Sequence, residues 1–258
     1  MQQLQAFSSA SLGTNKMVKR LFSSVSEYQL NQPYSSRIEK LPEPVKRYFK
    51  RVLTGGAQEI NSVRIKHDGQ FKTKLNNNWI PITGRQFITT QMPGFVWEGK
   101  TRWFTARDFY VEGRGGLTVY LFGLVRVVNA KGWAFDQGEL LRWLGEAVWY
   151  PTVWLPGENL TWEPINEDQA KVNFYYNGLE VNYEVTFNQD GLVTEMKTLR
   201  YMDVDRIETW IGRAENWQII NGVMVPTQIE AIWRIENQEY PYARFKVKEI
   251  DYNQPYVF

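Results

Sequence analysis

Apolar positions along this chain repeat at two different spacings, and the change from one to the other divides it. Met17, Val18, Leu21, Phe22, Val25 and Tyr28 recur at the helical spacing, which predicts a first helix over 16–29 after a loosely ordered 1–15. Asn31 to Ser36 reads as a linker. The stretch LPEPVKRYFKRVLTGG (Leu41–Gly56) predicts a second helix with Val45, Tyr48, Phe49 and Val52 as its stripe. Pro44 suits its first turn, where a missing N–H costs nothing, and Gly55-Gly56 suits its stop.

From Glu59 the period becomes two. Val63, Ile65 and His67 alternate with Arg64 and Lys66, and Asp68-Gly69 reads as a hairpin turn into Phe71, Thr73 and Leu75. Asn76-Asn77-Asn78 is a turn. Strand-like runs follow at 84–92, 95–104, 106–113 and 116–129. A third helix is predicted at about 136–149, with Asp136 as N-cap and Glu139 completing a capping box. Alternation then returns at Val181, Tyr183, Val185 and Phe187. Asp190-Gly191 and Asn221-Gly222 mark turns, and Ile229, Ala231, Trp233, Phe245 and Val247 carry the last strands. The expected fold is mainly β (α+β): a large curled antiparallel sheet or half-barrel wrapping one or two helices, plus N-terminal helices. So many strands in one sheet must curl or close. The expected division is an N-terminal helical, partly disordered segment (1–40) and a single curled-sheet domain (41–258).

Composition narrows the function. The 30 Lys and Arg nearly balance 28 Asp and Glu, a total that gives no argument for nucleic acid, which requires a concentrated basic surface. With no Cys, disulfides, thiolate metal sites and Cys nucleophiles are excluded, and the single histidine, His67, argues against a Ser-His-Asp mechanism. No apolar run reaches the roughly 20 residues of a membrane span. The expected location is cytoplasmic, with peripheral membrane contact through the amphipathic segment Lys16–Tyr28. The composition of residues 1–26, with Lys16, Lys19, Arg20, many serines and no acid, also overlaps with transit peptides.

The aromatic content, 15%, suits strands or the walls of an apolar cavity. The segment GELLRWLGEAVWYPTVWLP (Gly138–Pro156) concentrates the candidate chemistry. On a helical projection Leu140, Leu141, Leu144, Ala147 and Val148 share an aliphatic face. Glu139, Arg142, Trp143, Glu146, Trp149 and Tyr150 share the other and are the candidate ligand-binding residues. Glu139, Arg142 and Glu146 form either an ion-pair row or a head-group site in which Arg142 grips a carboxylate or phosphate. Gly113-Arg114-Gly115-Gly116 lacks the context of a phosphate loop and reads as a hairpin. Asp203 and Asp205, like Asp108 and Glu112, read as solvated acids rather than metal ligands. His67 reads as a surface or hydrogen-bonded residue. Trp97, Trp103, Trp143, Trp149, Trp154 and Trp233 read as core. No cofactor and no metal are expected.

The segments VNYEVTFNQDGLVTEM (Val181–Met196), NGVMVPTQIEAIW (Asn221–Trp233) and KVKEIDYNQPYVF (Lys246–Phe258) resemble the lipoprotein-carrier fold of the Lol type. That resemblance implies a curved sheet around helices, with acyl chains on its concave side. LPEPVKRYFKRVL, MPGFVWEGKTR, DFYVEGRGGLTVYLFGLVRVV, GELLRWLGEAVWYPTVWLP and YPYARFKVKEIDYN resemble a bacterial family known only as a domain of unknown function. Its members often begin with a membrane helix, a feature not seen in this sequence.

Three functions follow as expectations. The first is a binding module for a lipid or other hydrophobic small molecule on the concave side of the sheet. The second is an enzyme acting on a hydrophobic substrate, with Glu146 as acid/base, Arg142 as anion clamp and Asp136 or Glu139 in support. The third is a membrane-surface or protein-interaction module.

Overall fold

A computed structural model describes residues 9–25, 37–53 and 59–258. Thirteen strands form one antiparallel sheet in the order β6-β5-β4-β3-β2-β1-β13-β12-β11-β10-β9-β8-β7. They are β1 (Ser62–Phe71), β2 (Ile80–Thr89), β3 (Gly94–Lys100), β4 (Phe104–Val111), β5 (Arg114–Leu121), β6 (Val125–Lys131), β7 (Leu160–Pro164), β8 (Gln169–Tyr176), β9 (Leu179–Phe187), β10 (Val193–Asp203), β11 (Arg206–Ile220), β12 (Val223–Ile235) and β13 (Gln238–Tyr252). Strands consecutive in sequence are neighbours in space except β6 and β7, and β1 also pairs with β13. That pairing joins two meanders into one surface whose edge strands, β6 and β7, do not pair with each other. The sheet is therefore curled but unclosed.

Among the described residues three helices accompany it: α1 (Ser9–Phe22), α2 (Glu43–Val52) and α3 (Trp133–Gly145). Two 3-10 turns, Glu146–Trp149 and Pro151–Trp154, continue α3. Helix α3 lies inside the curl and touches β3, β4, β5 and β6 on one arm and β9 and β10 on the other. Helix α2 packs on the same inner side, with Val45, Tyr48, Phe49 and Val52 fully buried in the core.

Helix α1 sits on the opposite, outer face. Its Val18, Leu21 and Phe22 pack on Phe87, Val96 and Phe109 in a second, smaller core. It also covers a buried carboxylate, Glu98, which pairs with Arg85 at 3.0 Å and Lys100 at 3.2 Å. Burial works against the Glu98 charge, but the Thr14 hydroxyl and these two cations outweigh it and hold its pKa below the usual value. The apolar stripe expected to meet a membrane or a partner is thus spent on the chain's own sheet.

Several expected boundaries shift. The first helix begins at Ser9, within the stretch expected to be loose. Tyr28, the linker 31–36 and Gly55-Gly56 lie outside the described residues. Asp68-Gly69 is not a turn; it lies within β1, and Gly69 is needed because a Cβ there would collide with the Arg244 carbonyl of β13. The run 116–129 is broken at Phe122-Gly123, where both residues have positive φ (50° and 71°), as in a type I′ turn, and the Leu124 amide donates to the Leu121 carbonyl (3.0 Å). Helix α3 starts at Trp133 after Gly132, so Asp136 is not its N-cap. Asp136 instead accepts hydrogen bonds from the Gly115 amide (2.7 Å) and Arg114 (3.1 Å). Trp103, expected in the core, is exposed, because it occupies the β3–β4 turn.

Candidate functional site

Helix α3 is wedged between two arms, so it is buried on nearly every side. Leu140, Leu144 and Val148 pack into the core as the helical projection requires. The other face is buried as well, because the sheet curls around it. Trp143, Trp149 and Tyr150 are buried, and their polar atoms bond to backbone carbonyls. Trp143 Nε1 donates to Thr89 (2.9 Å), Trp149 Nε1 to Pro226 (2.9 Å) and the Tyr150 hydroxyl to Trp143 (2.6 Å). Trp143 and Trp149 therefore tie this segment to β2 and β12, and Tyr150 ties the 3-10 turn back to α3.

Charge gathers around Arg142. Its Nε donates to Glu146 Oε1 (2.8 Å), its Nη1 to Asp108 Oδ2 (2.7 Å) and its Nη2 to Gln86 Oε1 (3.3 Å). Gln86 Nε2 in turn donates to Glu146. The guanidinium also lies 4.9 Å from the Phe95 ring centre and 5.1 Å from that of Trp97. Glu139, one helical turn away, meets Arg200 of β10 at 3.6 Å, and its Oε2 is buried without a hydrogen-bond partner. Three carboxylates therefore share two guanidiniums out of water.

The pKa shifts follow from that imbalance. Burial, reinforced by the nearby Asp108 charge, pushes Glu139 up to about 8. Burial also raises Asp108, against the pull of Arg142. Burial disfavours the Arg142 charge, yet Glu146, Asp108 and Glu139 outweigh it and hold its pKa above the ordinary value. At neutral pH the cluster balances if Glu139 keeps its proton.

Beside the cluster, His67 accepts a hydrogen bond at Nε2 from Trp97 Nε1 (2.8 Å), which leaves its proton on Nδ1 near the Asp68 carbonyl (3.4 Å). Burial lowers its pKa to about 4. His67 is thus a buried, neutral, mid-strand residue rather than a surface one. Asp108, expected to be solvated, is the partner of Arg142, whereas Glu112 lies in the exposed β4–β5 turn and pairs with Arg20. Asp203 and Asp205 lie exposed at the β10–β11 turn.

The structure therefore brings Glu139, Arg142 and Glu146 together, with Gln86, Asp108 and Arg200 added. Asp136 lies apart, near Arg114. All three Arg142 nitrogens donate to protein oxygens, which fixes the guanidinium within the cluster.

One part of the inner face is left open. Strand alternation from Asp108 places Phe104 and Ala106 on the inner side. Direct pairing carries that side to Val119 and Leu121 on β5 and to Val128 and Val125 on β6. Phe104 and Val119 are half-buried, while Leu121 (41%), Val128 (37%) and Val125 (62%) are exposed. This strip begins about 13 Å along β4 from Asp108, at four residues of strand rise. A separate open depression of about 480 Å³ lies on the outer face over β11, β12, β13 and β1. It is lined by Arg213, Glu230 and Arg244, which are ion-paired, so it is not the apolar internal cavity expected for an acyl chain.

The model of the Family of unknown function (DUF6920) matches residues 39–252. The chain belongs to this family. The match takes in every strand and α2 and α3, and leaves α1 and the last six residues outside. No curated protein is similar to the sequence. Among solved structures, the chain is similar to a LolA superfamily protein from Nitrosomonas europaea. The identity is 10% and the TM-score 0.43, over 82% of this chain and 92% of that one. It is also similar to a Vibrio parahaemolyticus domain named for outer membrane lipoprotein sorting, at 7% identity and TM-score 0.44, over 84% of this chain and 93% of that one. A β-barrel-like protein of another domain of unknown function, from Brucella abortus, aligns at 10% identity and TM-score 0.28, over 77% of this chain and all of that one.

Proposed function

We propose that this member of the DUF6920 family is a binding module for a lipid or another molecule with a long apolar chain, held along the inner strip of β4, β5 and β6. The observation that supports this reading is the strip itself. Phe104, Val119, Leu121, Val125 and Val128 share one face of three paired strands, and α3 leaves them partly uncovered. Apolar side chains grouped on one surface are a feature of ligand and partner sites, whereas single exposed ones are ordinary. Covering the exposed part of such side chains contributes about 25 cal/mol per Å², so a few residues acting together supply useful affinity. In this reading the Arg142 cluster stiffens the floor of the site and makes no contact with the apolar chain.

The test is a titration of purified protein with a dansyl-labelled fatty acid. The wild type should bind saturably. Val128→Glu, which places a charge on the strip at an exposed position, should weaken binding by about tenfold or more, equal to about 1.4 kcal/mol, with an unchanged melting temperature. Absence of saturable binding, or equal binding by Val128→Glu, would overturn the reading.

A further inference from the structure

The β5–β6 hairpin ends in a feature that the fold does not require. A type I′ turn favours Asn-Gly, since both central residues need positive φ. Here the first is Phe122, at φ 50°. A bulky aromatic at positive φ is strained, yet its ring is 67% exposed and gains little from the core. Leu124, on the other side of the turn, is 66% exposed.

Two more exposed apolar side chains stand beside them. Trp103 of the β3–β4 turn meets the Phe122 ring edge-on at 6.2 Å, and its carbonyl accepts the Phe122 amide at 2.9 Å. The Gly123 carbonyl accepts the Ala10 amide at 3.1 Å, which fixes the start of α1, with the exposed Leu12, at the same tip. Four large apolar groups from three segments thus form one knob on the end of the sheet.

The charge at this end of the sheet is mainly basic. Residues 9–18, 98–107 and 118–128 carry five Lys or Arg and one acid, Glu98, although the whole chain is nearly balanced. Glu98 is held in ion pairs under α1. Arg102, against the Trp103 ring at 4.8 Å, and Lys16 and Arg126 are exposed near the tip. An apolar tip with aromatic members inside a basic collar matches the apolar interface and anionic headgroups of a lipid bilayer.

We infer that the knob formed by Leu12, Trp103, Phe122 and Leu124 docks on anionic membrane surfaces, with Lys16, Arg102 and Arg126 meeting the headgroups. The contact uses residues outside the inner strip and does not depend on ligand binding there.

Co-sedimentation of the full chain with phosphatidylcholine vesicles, with and without phosphatidylglycerol, tests it. Wild type should pellet with the phosphatidylglycerol vesicles and detach as salt is raised. Phe122→Asn should lower binding by about tenfold or more, about 1.4 kcal/mol. It should also hold or raise the melting temperature, because Asn tolerates the turn's positive φ. Arg102→Ser with Arg126→Ser should lower it too, through charge alone. Val128→Glu should leave vesicle binding intact, which separates this contact from the fatty-acid site. Failure to pellet, equal pelleting with phosphatidylcholine alone, or equal binding by Phe122→Asn would overturn the inference. So would a wild-type dimer in lipid-free sedimentation that Phe122→Asn dissolves, since the knob would then be an interface between copies.

Discussion

The inner face of the sheet holds two regions of opposite character within one strand's length. Arg142 is bonded to Glu146, Asp108 and Gln86 with Glu139 and Arg200 paired nearby, all six side chains buried or largely so, and rings pack against the guanidinium. Along Phe104, Val119, Leu121, Val125 and Val128, the side chains are apolar, and several face outward from the packed core. A charged cluster at the centre of a fold invites a catalytic reading. Here Arg142 is fixed by three hydrogen bonds to protein oxygens, and removing it would unsettle the fold. The apolar strip has no such internal commitment, so changes there should leave the fold intact and alter binding.

The largest expected effect follows from Arg142→Met. Losing the guanidinium leaves Asp108 and Glu146 buried beside each other without their cation. Breaking such a pair on one side costs about 3–5 kcal/mol. Urea denaturation at pH 7 should show that loss, and the loss should shrink at pH 5, where Asp108, raised by burial, takes a proton more readily. Equal cost at both pH values would show that the cluster is not carboxylate-rich in the folded chain. Leu144→Ala, in the fully buried aliphatic face of α3, should cost about 2–5 kcal/mol at either pH, which supplies a pH-independent control.

A smaller effect, with a definite sign, comes from Glu139. Its carboxyl is protonated up to about 8 in the folded chain against an ordinary value of 4.5. Between those values the folded state carries the extra proton, so stability falls as pH rises. His67 acts in the opposite sense. Its folded pKa is about 4 against 6.5, so between those values the unfolded state carries the extra proton and stability rises with pH. The two slopes oppose each other from about pH 4.5 to 6.5, and Glu139 alone acts from there to about 8. Thermal unfolding should therefore show a midpoint that changes little up to about pH 6.5 and then declines toward 8. Glu139→Gln should flatten that decline, and a midpoint that rises over the same range would contradict the assignment. The smallest effect belongs to the strip: Val128→Glu should move the denaturation midpoint by less than about 0.5 kcal/mol, as for an exposed surface change.

The sequence made the sheet legible wherever alternation was long and turns used ordinary residues. Val181 to Phe187 and the Asn221-Gly222 turn fall where the pattern placed them. It misled where a residue served a tertiary purpose. Gly69 looked like half of a turn because close approach to β13 needs the same missing side chain. Phe122-Gly123 did not look like a turn because phenylalanine rarely occupies one. The Arg142–Glu146 pair was visible at its helical spacing, whereas Asp108, on β4, could be joined to Arg142 only by folding. The burial of Trp143, Trp149 and Tyr150 depended on a second arm of sheet closing over the face they occupy, which no local pattern records.

Photo-crosslinking with a diazirine-bearing fatty acid, followed by peptide mapping, tests the central claim most directly. The account predicts labels within Phe104–Val128 and few within Glu139–Tyr150. Labels concentrated on Glu139–Tyr150, or spread over the surface without preference, would contradict it.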